Sequence, residues 1–405
     1  MTISSDKLTF AVLQAGARMH YAVPALLAQT KQLKAFYTDL HGEHKWLRWL
    51  DQSWSNPPKL FKRLLGRRLP SDLPQSLVRD QPLTTLAASA LNRLPGVHID
   101  PEQAVLRQAE RDQFAQASAL YTNFINNDLP VVQAAKEAGL FCVHELIISA
   151  TTGRILLEER QQFPGIEPQG ETAEIVEAGI ERDLEKWNLV DRILVPSQYC
   201  FDSSVALGAD PSKLWIVPYG IREEWLNLPV NPKQGRVLFV GQVRLLKGSH
   251  YLAEATRLLA KRGFQGEVRV VGPWFVDVEN SIFQGPSYLG QIPRSLIHTE
   301  FCQADVLVLP TLSDSFGLVH LEALACGIPV ITTTHCGAVI RDGVEGFIVP
   351  IRDAQALADK IEQIVGDRQL RERMSQNAKK RAQEFTWQHY KERLLIALSK
   401  AEPRV

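Results

Sequence analysis

The sequence carries no net charge: its 405 residues hold 45 Lys and Arg against 45 Asp and Glu. A nucleic acid is gripped by a basic face, and this balance gives no case for one. Cysteines are few, at positions 142, 200, 302, 326 and 336, and no two stand as C-x-x-C. That spacing speaks against a disulfide framework or a cysteine-rich metal site, and Cys142, inside an apolar run, reads as a buried free thiol. No tract is long and apolar enough to cross a bilayer. The start, Met1-Thr-Ile-Ser-Ser-Asp-Lys running straight into an apolar strand at 8–13, lacks the basic head, long apolar middle and small-residue cleavage site of a signal peptide, so a cytoplasmic location is expected. G-x-G-x-x-G is also missing, so nothing supports a dinucleotide site, and no repeat occurs at solenoid spacing.

What is present is apolar material in short pieces. A hydrophobic fraction of 45% over 405 residues exceeds one ordinary core and divides into two α/β units. Strand-like runs alternate with helical stretches, the pattern of doubly wound parallel sheets. Strands are expected in the first half near 8–13, 33–37, 117–121, 140–144, 192–195 and 214–217. In the second half they fall near 236–240, 267–271, 287–289, 305–309, 329–332 and 347–349. The stretch 219–235, with Pro229, Pro232 and Gly235, is the linker candidate. A last helix is expected at about 383–401, with Phe385, Trp387 and Tyr390 on it.

The most informative segment follows the apolar run Asp305-Val-Leu-Val-Leu-Pro310, which suits a strand buried on both faces. Thr311 to Ser315 supply a turn, and 316–326 reads as a helix of about three turns, stopped by Gly327 and Pro329 and capped by Asp314 or Ser315. Amides of the first turn, at Phe316, Gly317 and Leu318, lack internal partners and carry the positive end of the helix dipole, a natural seat for phosphate. Glu322 follows Asp314 by eight residues, about 12 Å along a helix rising 1.5 Å per residue, so two carboxylates bracket that seat. A sugar nucleotide has this layout; an N-cap Asp with a solvated helical Glu is the plainer reading of the same pair.

Asp314-x7-Glu322 is similar to the E-x7-E signature of retaining glycosyltransferases of family 4, with Asp in place of the first Glu. The run Ala323-Leu-Ala-Cys-Gly-Ile-Pro-Val-Ile-Thr-Thr and the segment 336–350 resemble the family's next motifs. Upstream, Asp191-Arg-Ile-Leu-Val-Pro-Ser197, Val217-Pro-Tyr-Gly220 and Val240-Gly-Gln-Val-Arg-Leu-Leu-Lys-Gly248 extend the likeness over roughly the second half of the chain. The resemblance implies the GT-B fold, two Rossmann-like doubly wound domains facing across a cleft. Residues 1–228 would form the acceptor side and 229–382 the nucleotide-sugar donor domain, with a closing helix at 383–405 crossing back. It implies transfer of a sugar from a nucleoside diphosphate donor to an acceptor hydroxyl, glycan or lipid-linked, with retention and with neither metal nor further cofactor. By the same resemblance, Asp314, His144 and Lys247 carry catalysis. Asp314 orients the donor sugar, His144 contacts it from across the cleft, and Lys247 neutralises the leaving diphosphate. Glu322 holds the ribose, and Phe316, Gly317 and Leu318 with Arg244 bind phosphate. Gly241 and Gln242 form the phosphate loop, Gly290 and Ile292 belong to the base-reading segment, and Gly16 to a close-approach loop. Thr333 and Thr334 are expected to line the site. The family commonly has Arg where this chain has Gln242, and Arg244 is the expected substitute. Two other classes stay open: another GT-B enzyme, such as a phosphorylase or sugar-nucleotide epimerase, and a non-catalytic sugar-nucleotide-binding partner.

One stretch lies outside that pattern. Residues 45–68 hold seven basic side chains and one acidic one, interleaved with Trp46, Trp49, Trp54 and Phe61 and broken by Pro57-Pro58. Such a segment suits the surface of an anionic membrane; a solvated face with its tryptophans packed on the domain accounts for it equally well.

Overall fold

The computed structural model describes residues 7–53, 65–92, 94, 96–97, 99–125 and 127–399. Trp54, Pro57, Pro58, Phe61 and Arg63 of the basic segment lie outside the described residues.

Two parallel sheets form, each from short buried runs rich in Val, Ile and Leu that helices cover on both faces. The first holds β1 (Phe10–Leu13), β2 (Leu33–Thr38), β3 (Val78–Asp80), β4 (Ala119–Thr122), β5 (Phe141–Glu145), β6 (Arg192–Val195) and β7 (Leu214–Ile216), in the order β3-β2-β1-β4-β5-β6-β7. The second holds β8 (Arg236–Val240), β9 (Glu267–Val271), β10 (Ser287–Gly290), β11 (Val306–Leu309), β12 (Val330–Thr333) and β13 (Gly346–Val349), in the order β10-β9-β8-β11-β12-β13. Strand order reverses between β1 and β4 and again between β8 and β11. Loops leaving the carboxyl ends there diverge and open a crevice, the usual ligand position in such sheets. The two-sheet expectation holds. β3 was not foreseen: it is three residues long and only partly buried, at the edge of its sheet, so it shows no apolar run.

The helix after β11 departs from its expected form. It spans Leu318–Ala325, and its N-cap is Gly317, with no side chain bonded to the first turn. Asp314 and Ser315 are therefore not caps. Asp314 is held instead in a short bridge to Cys336, its N–H donating to His335 O at 3.0 Å and its C=O accepting from Gly337 N at 2.7 Å. The Ser315 hydroxyl accepts from the N–H of Ser149 in the first domain at 2.8 Å.

Several contacts join the two sheets. The linker's Ile221 N–H donates to Phe385 O at 2.7 Å and its C=O accepts from Trp387 N at 3.1 Å. The last helix, Trp387–Ala397, presents Tyr390 to Tyr219, and Arg192 of β6 donates to the C=O of Ala397 and of Ser399 at 2.6 Å. Tyr219 in turn meets the Phe316 ring edge-to-face at 5.2 Å, inside an apolar cluster that runs from Val12 and Tyr121 to Leu238 and Leu307.

Candidate active site

The crevice of the second sheet is built by two loops pressed together. Gly248, after β8, has φ +66°, and a Cβ there would stand 1.9 Å from the C=O oxygen of Pro310, after β11. Only glycine allows this approach. It places Lys247, at the end of a 3-10 turn (Leu245–Lys247), against the loop of Asp314, and Lys247 Nζ donates to Asp314 Oδ2 at 2.5 Å. Both side chains remain about a quarter exposed, so a ligand can reach the pair. Gly317 leaves room for it: a Cβ there would lie 3.3 Å from Asp314 Oδ2.

A cavity of about 810 Å³ opens at the carboxyl ends of β8 and β9, lined among others by Gly241, Gln242, Gly272, Ile292 and Glu322 but by neither Lys247 nor Asp314. Gly290, with φ +67°, accepts from the N–H of Gly272 at 3.0 Å and so supports its wall. Glu322 also lines a smaller cavity of about 150 Å³, shared with Leu318 and with Met19 and His20 of the loop after β1. Thus the second sheet's crevice faces the first sheet's. Gly16 lies in that facing loop with φ +67°, its N–H donating to Asp39 Oδ1 at 2.9 Å. Thr333 and Thr334 belong to a different cavity, of about 680 Å³, lined also by Thr151 and Tyr199.

Two expected residues stand elsewhere. His144 is 2% exposed, and its Nδ1 lies 3.5 Å from Oδ2 of Asp128, itself fully buried and paired with Lys186 at 3.0 Å. Burial works to raise the Asp128 pKa, but His144 and Lys186 outweigh it and hold the carboxyl well below its usual range. The ring is enclosed in that cluster and is not among the residues lining the 810 Å³ cavity. Its neighbour Glu145, pointing to the opposite face, accepts from Tyr121 Oη at 2.6 Å and from Asn123 Nδ2 and Tyr219 Oη at 3.1 Å. Arg244 turns toward the first domain: its Nε lies 3.8 Å from Glu167 Oε1, the oxygen that also accepts from the N–H of Leu245 at 2.7 Å.

Sequence reasoning missed Arg222, Trp225 and His298, which line the larger cavity. Arg222 follows the Val217-Pro-Tyr-Gly220 motif by two positions, the only signal available for it. Trp225 and His298 meet with ring centroids 4.6 Å apart. Behind the site, His320 on the helix Leu318–Ala325 is fully buried against Phe316, and Nε2 accepts from the N–H of Val339 at 3.2 Å. At the edge of the first sheet, ligand-capable atoms of His41, His44 and Asp80 lie within 4.8 Å of one another. The Glu43 N–H donates to His41 Nδ1 at 3.1 Å, which puts the proton of the neutral ring on Nε2, the atom that faces Asp80. A metal would need that position bare, so the trio fits a carboxylate accepting from two rings better than a metal centre.

Residues 222–381 match the family model described as glycosyl transferases group 1. The capsular polysaccharide biosynthesis glycosyltransferase CapM of Staphylococcus aureus is 34% identical over 155 residues, covering 36% of this chain and 40% of the relative. A D-inositol 3-phosphate glycosyltransferase of Actinosynnema mirum is 30% identical over 240 residues, 52% of this chain and 58% of the relative. The chain thus spans about half the length of the curated relatives it matches. Among solved structures, Anabaena Alr3699/HepE in complex with UDP and glucose superposes with a TM-score of 0.65 at 16% identity, over 96% of this chain and 99% of that one. Sucrose-phosphate synthase from Thermosynechococcus elongatus gives 0.64 at 17% identity, over 96% and 97%. The fold is GT-B. The sequence match lies mainly in the second domain and the fold match spans both.

Proposed function

We propose that the chain is a retaining glycosyltransferase of the family 4 kind, moving a sugar from a nucleoside diphosphate donor to an acceptor hydroxyl. The observation that carries the reading is the Lys247–Asp314 pair at the second sheet's switch point, together with a cavity lined by Glu322 on the same domain. In this reading residues 1–228 face the acceptor, 229–382 hold the donor, and 383–405 close the chain back on the first domain. The UDP bound by Anabaena HepE supports a nucleoside diphosphate here. Glu322 takes the ribose hydroxyls, Gly290 and Ile292 border the base, and the amides at Phe316, Gly317 and Leu318 face the diphosphate.

As the glycosidic bond to the phosphate oxygen breaks, charge collects on the diphosphate. Lys247 and the helix-end dipoles, fixed beforehand, stabilise that charge without a metal ion. Asp314 orients the sugar while holding Lys247 in place. The acceptor oxygen bonds to the anomeric carbon on the face the leaving group vacates, and its proton passes to the departing phosphate oxygen. The acceptor is a glycan or a lipid-linked hydroxyl. No helix among the described residues is long and apolar enough to cross a membrane, and the helix Lys45–Ser53 supports peripheral contact: Leu47 is buried while Trp46 is 37% and Trp49 65% exposed beside Lys45 and Arg48.

A thermal-shift screen against UDP, GDP and ADP sugars tests the donor reading, since a ligand bound only by the native state raises its melting temperature. One class of donor should raise it, and the same donor should release its nucleoside diphosphate when an acceptor alcohol is added. No shift with any of the three would sink the reading; turnover that needs free phosphate in place of the alcohol would mark a phosphorylase.

A further inference from the structure

We infer that Arg222, not Arg244, supplies the second cation for the donor diphosphate; the inference rests on the donor-site reading above. Among the described residues lining the 810 Å³ cavity, Arg222 is the one Lys or Arg, and the carboxylates there are Glu224 and Glu322. Lys247, which is not among the lining residues, is already matched by Asp314 at 2.5 Å. An incoming diphosphate therefore faces a pair of zero net charge and a lining with one more acid than base. It needs a further cation within reach.

The two arginines differ in how freely they can turn. Arg244 lies near Glu167, which is 3% exposed, is bonded to the Leu245 amide and has Arg160 at 3.3 Å. Drawing the cation away would leave that buried carboxylate less well compensated. Arg222 is 47% exposed, and its partner Glu224 is 60% exposed at 3.4 Å. Such an exposed pair is weak and screened by salt, so the guanidinium leaves it readily. Its Nη2 also lies 3.3 Å from His20 Nε2 of the facing loop. Arg222 lines the 150 Å³ cavity between the domains as well as the large one, and the 150 Å³ cavity includes Leu318, the first residue of the helix whose positive end faces the phosphate seat. Its planar fork suits two phosphate oxygens at once.

Calorimetric titration of the full chain tests this, with the tightest of UDP, GDP and ADP and with the matching nucleoside as phosphate-free probe. Arg222→Gln should weaken the nucleoside diphosphate roughly tenfold, leave the nucleoside unchanged, and flatten the salt dependence. Arg222→Lys should recover part of the loss, Arg244→Gln should cost less than Arg222→Gln, and Arg262→Gln, far from the cavity in its pairs with Asp359 and Glu362, should stay within about twofold. If the native chain binds a nucleoside diphosphate and Arg222→Gln binds it equally well, or loses nucleoside and diphosphate by the same factor, the inference falls while the donor site stands. A native chain that binds none of the three overturns the donor site itself.

Discussion

Acid should weaken the second domain through His320. Its Nε2 accepts the Val339 N–H, so the ring is neutral with its proton on Nδ1. Enclosure against Phe316 pushes its pKa down from 6.5 to about 4. An unfolded chain takes up this proton near pH 6.5 and the native chain only near 4. Between those values the unfolded state binds more protons, so the contribution is complete above pH 6.5 and is lost as the pH falls to 4. A gap of about 2.5 pH units at about 1.36 kcal/mol each comes to roughly 3 kcal/mol. Urea unfolding followed by circular dichroism at pH 7 and pH 4.5 measures it, for the native chain and for His320→Gln. Glutamine keeps an acceptor for Val339 and does not titrate. Carboxylates that protonate in the same range act on both proteins and cancel in the comparison. The variant should therefore lose about 2–3 kcal/mol less than the native chain on acidification. Equal losses would refute the reasoning, because a ring that takes up its proton equally in both states contributes nothing to the pH dependence.

Asp314→Asn keeps the shape of the loop and removes the charge that pairs with Lys247; turnover should fall by about 10²-fold or more while donor affinity changes only a few-fold, and near-normal turnover would reduce Asp314 to a structural partner. Gly248→Ala forces a Cβ into the left-handed region, which costs roughly 1–2 kcal/mol, and toward the Pro310 oxygen as well; a melting temperature equal to that of the native chain would show that the two loops are not locked together. The triple variant Trp46→Ser, Arg48→Gln, Trp49→Ser should cosediment with anionic vesicles at least about fivefold less than the native chain, and equal binding would return the helix Lys45–Ser53 to an ordinary solvated face.

The fold was legible because its strands are short buried apolar runs: 192–195, 236–240 and 267–271 coincide with β6, β8 and β9. β3 was not, since Val78-Arg79-Asp80 at a sheet edge buries too little to leave an apolar signature. Local signals also misplaced the start of the helix after β11. A capping side chain is chosen by what else competes for it, and Asp314 is claimed by Lys247, 67 positions earlier. His144 shows a second limit. Residues in a strand alternate faces, so His144 meets the buried Asp128–Lys186 pair while Glu145 meets Tyr121 and Tyr219; the motif gives the strand end but not the partners on each face. Arg222 was hidden because it lies in the linker, where neither period nor propensity marks a side chain.

The Asp at 314 fits its surroundings more closely than the motif alone implied. Its short side chain already meets Lys247 at 2.5 Å, and Gly317 stands where a Cβ would come within 3.3 Å of its oxygen. The pair is also not a property of the second domain alone. Glu167, from the loop after the first domain's helix Thr152–Gln162, accepts from the N–H of Leu245 in the same turn as Lys247. Five residues after that turn begins and again at 251, His250 and Tyr251 donate to Glu159 on that helix at 2.7 and 2.8 Å, and Arg352 Nε adds a third bond at 2.7 Å. Glu159 is fully buried; burial favours its neutral form, yet bonds from His250, Arg352 and Tyr251 hold its pKa below the usual value. A buried carboxylate with three donors across the interface resists sliding, because any shift leaves a charge without partners. The lysine proposed to meet the leaving diphosphate is therefore positioned from both sides of the cleft, and a change in how the domains sit would move its loop with them.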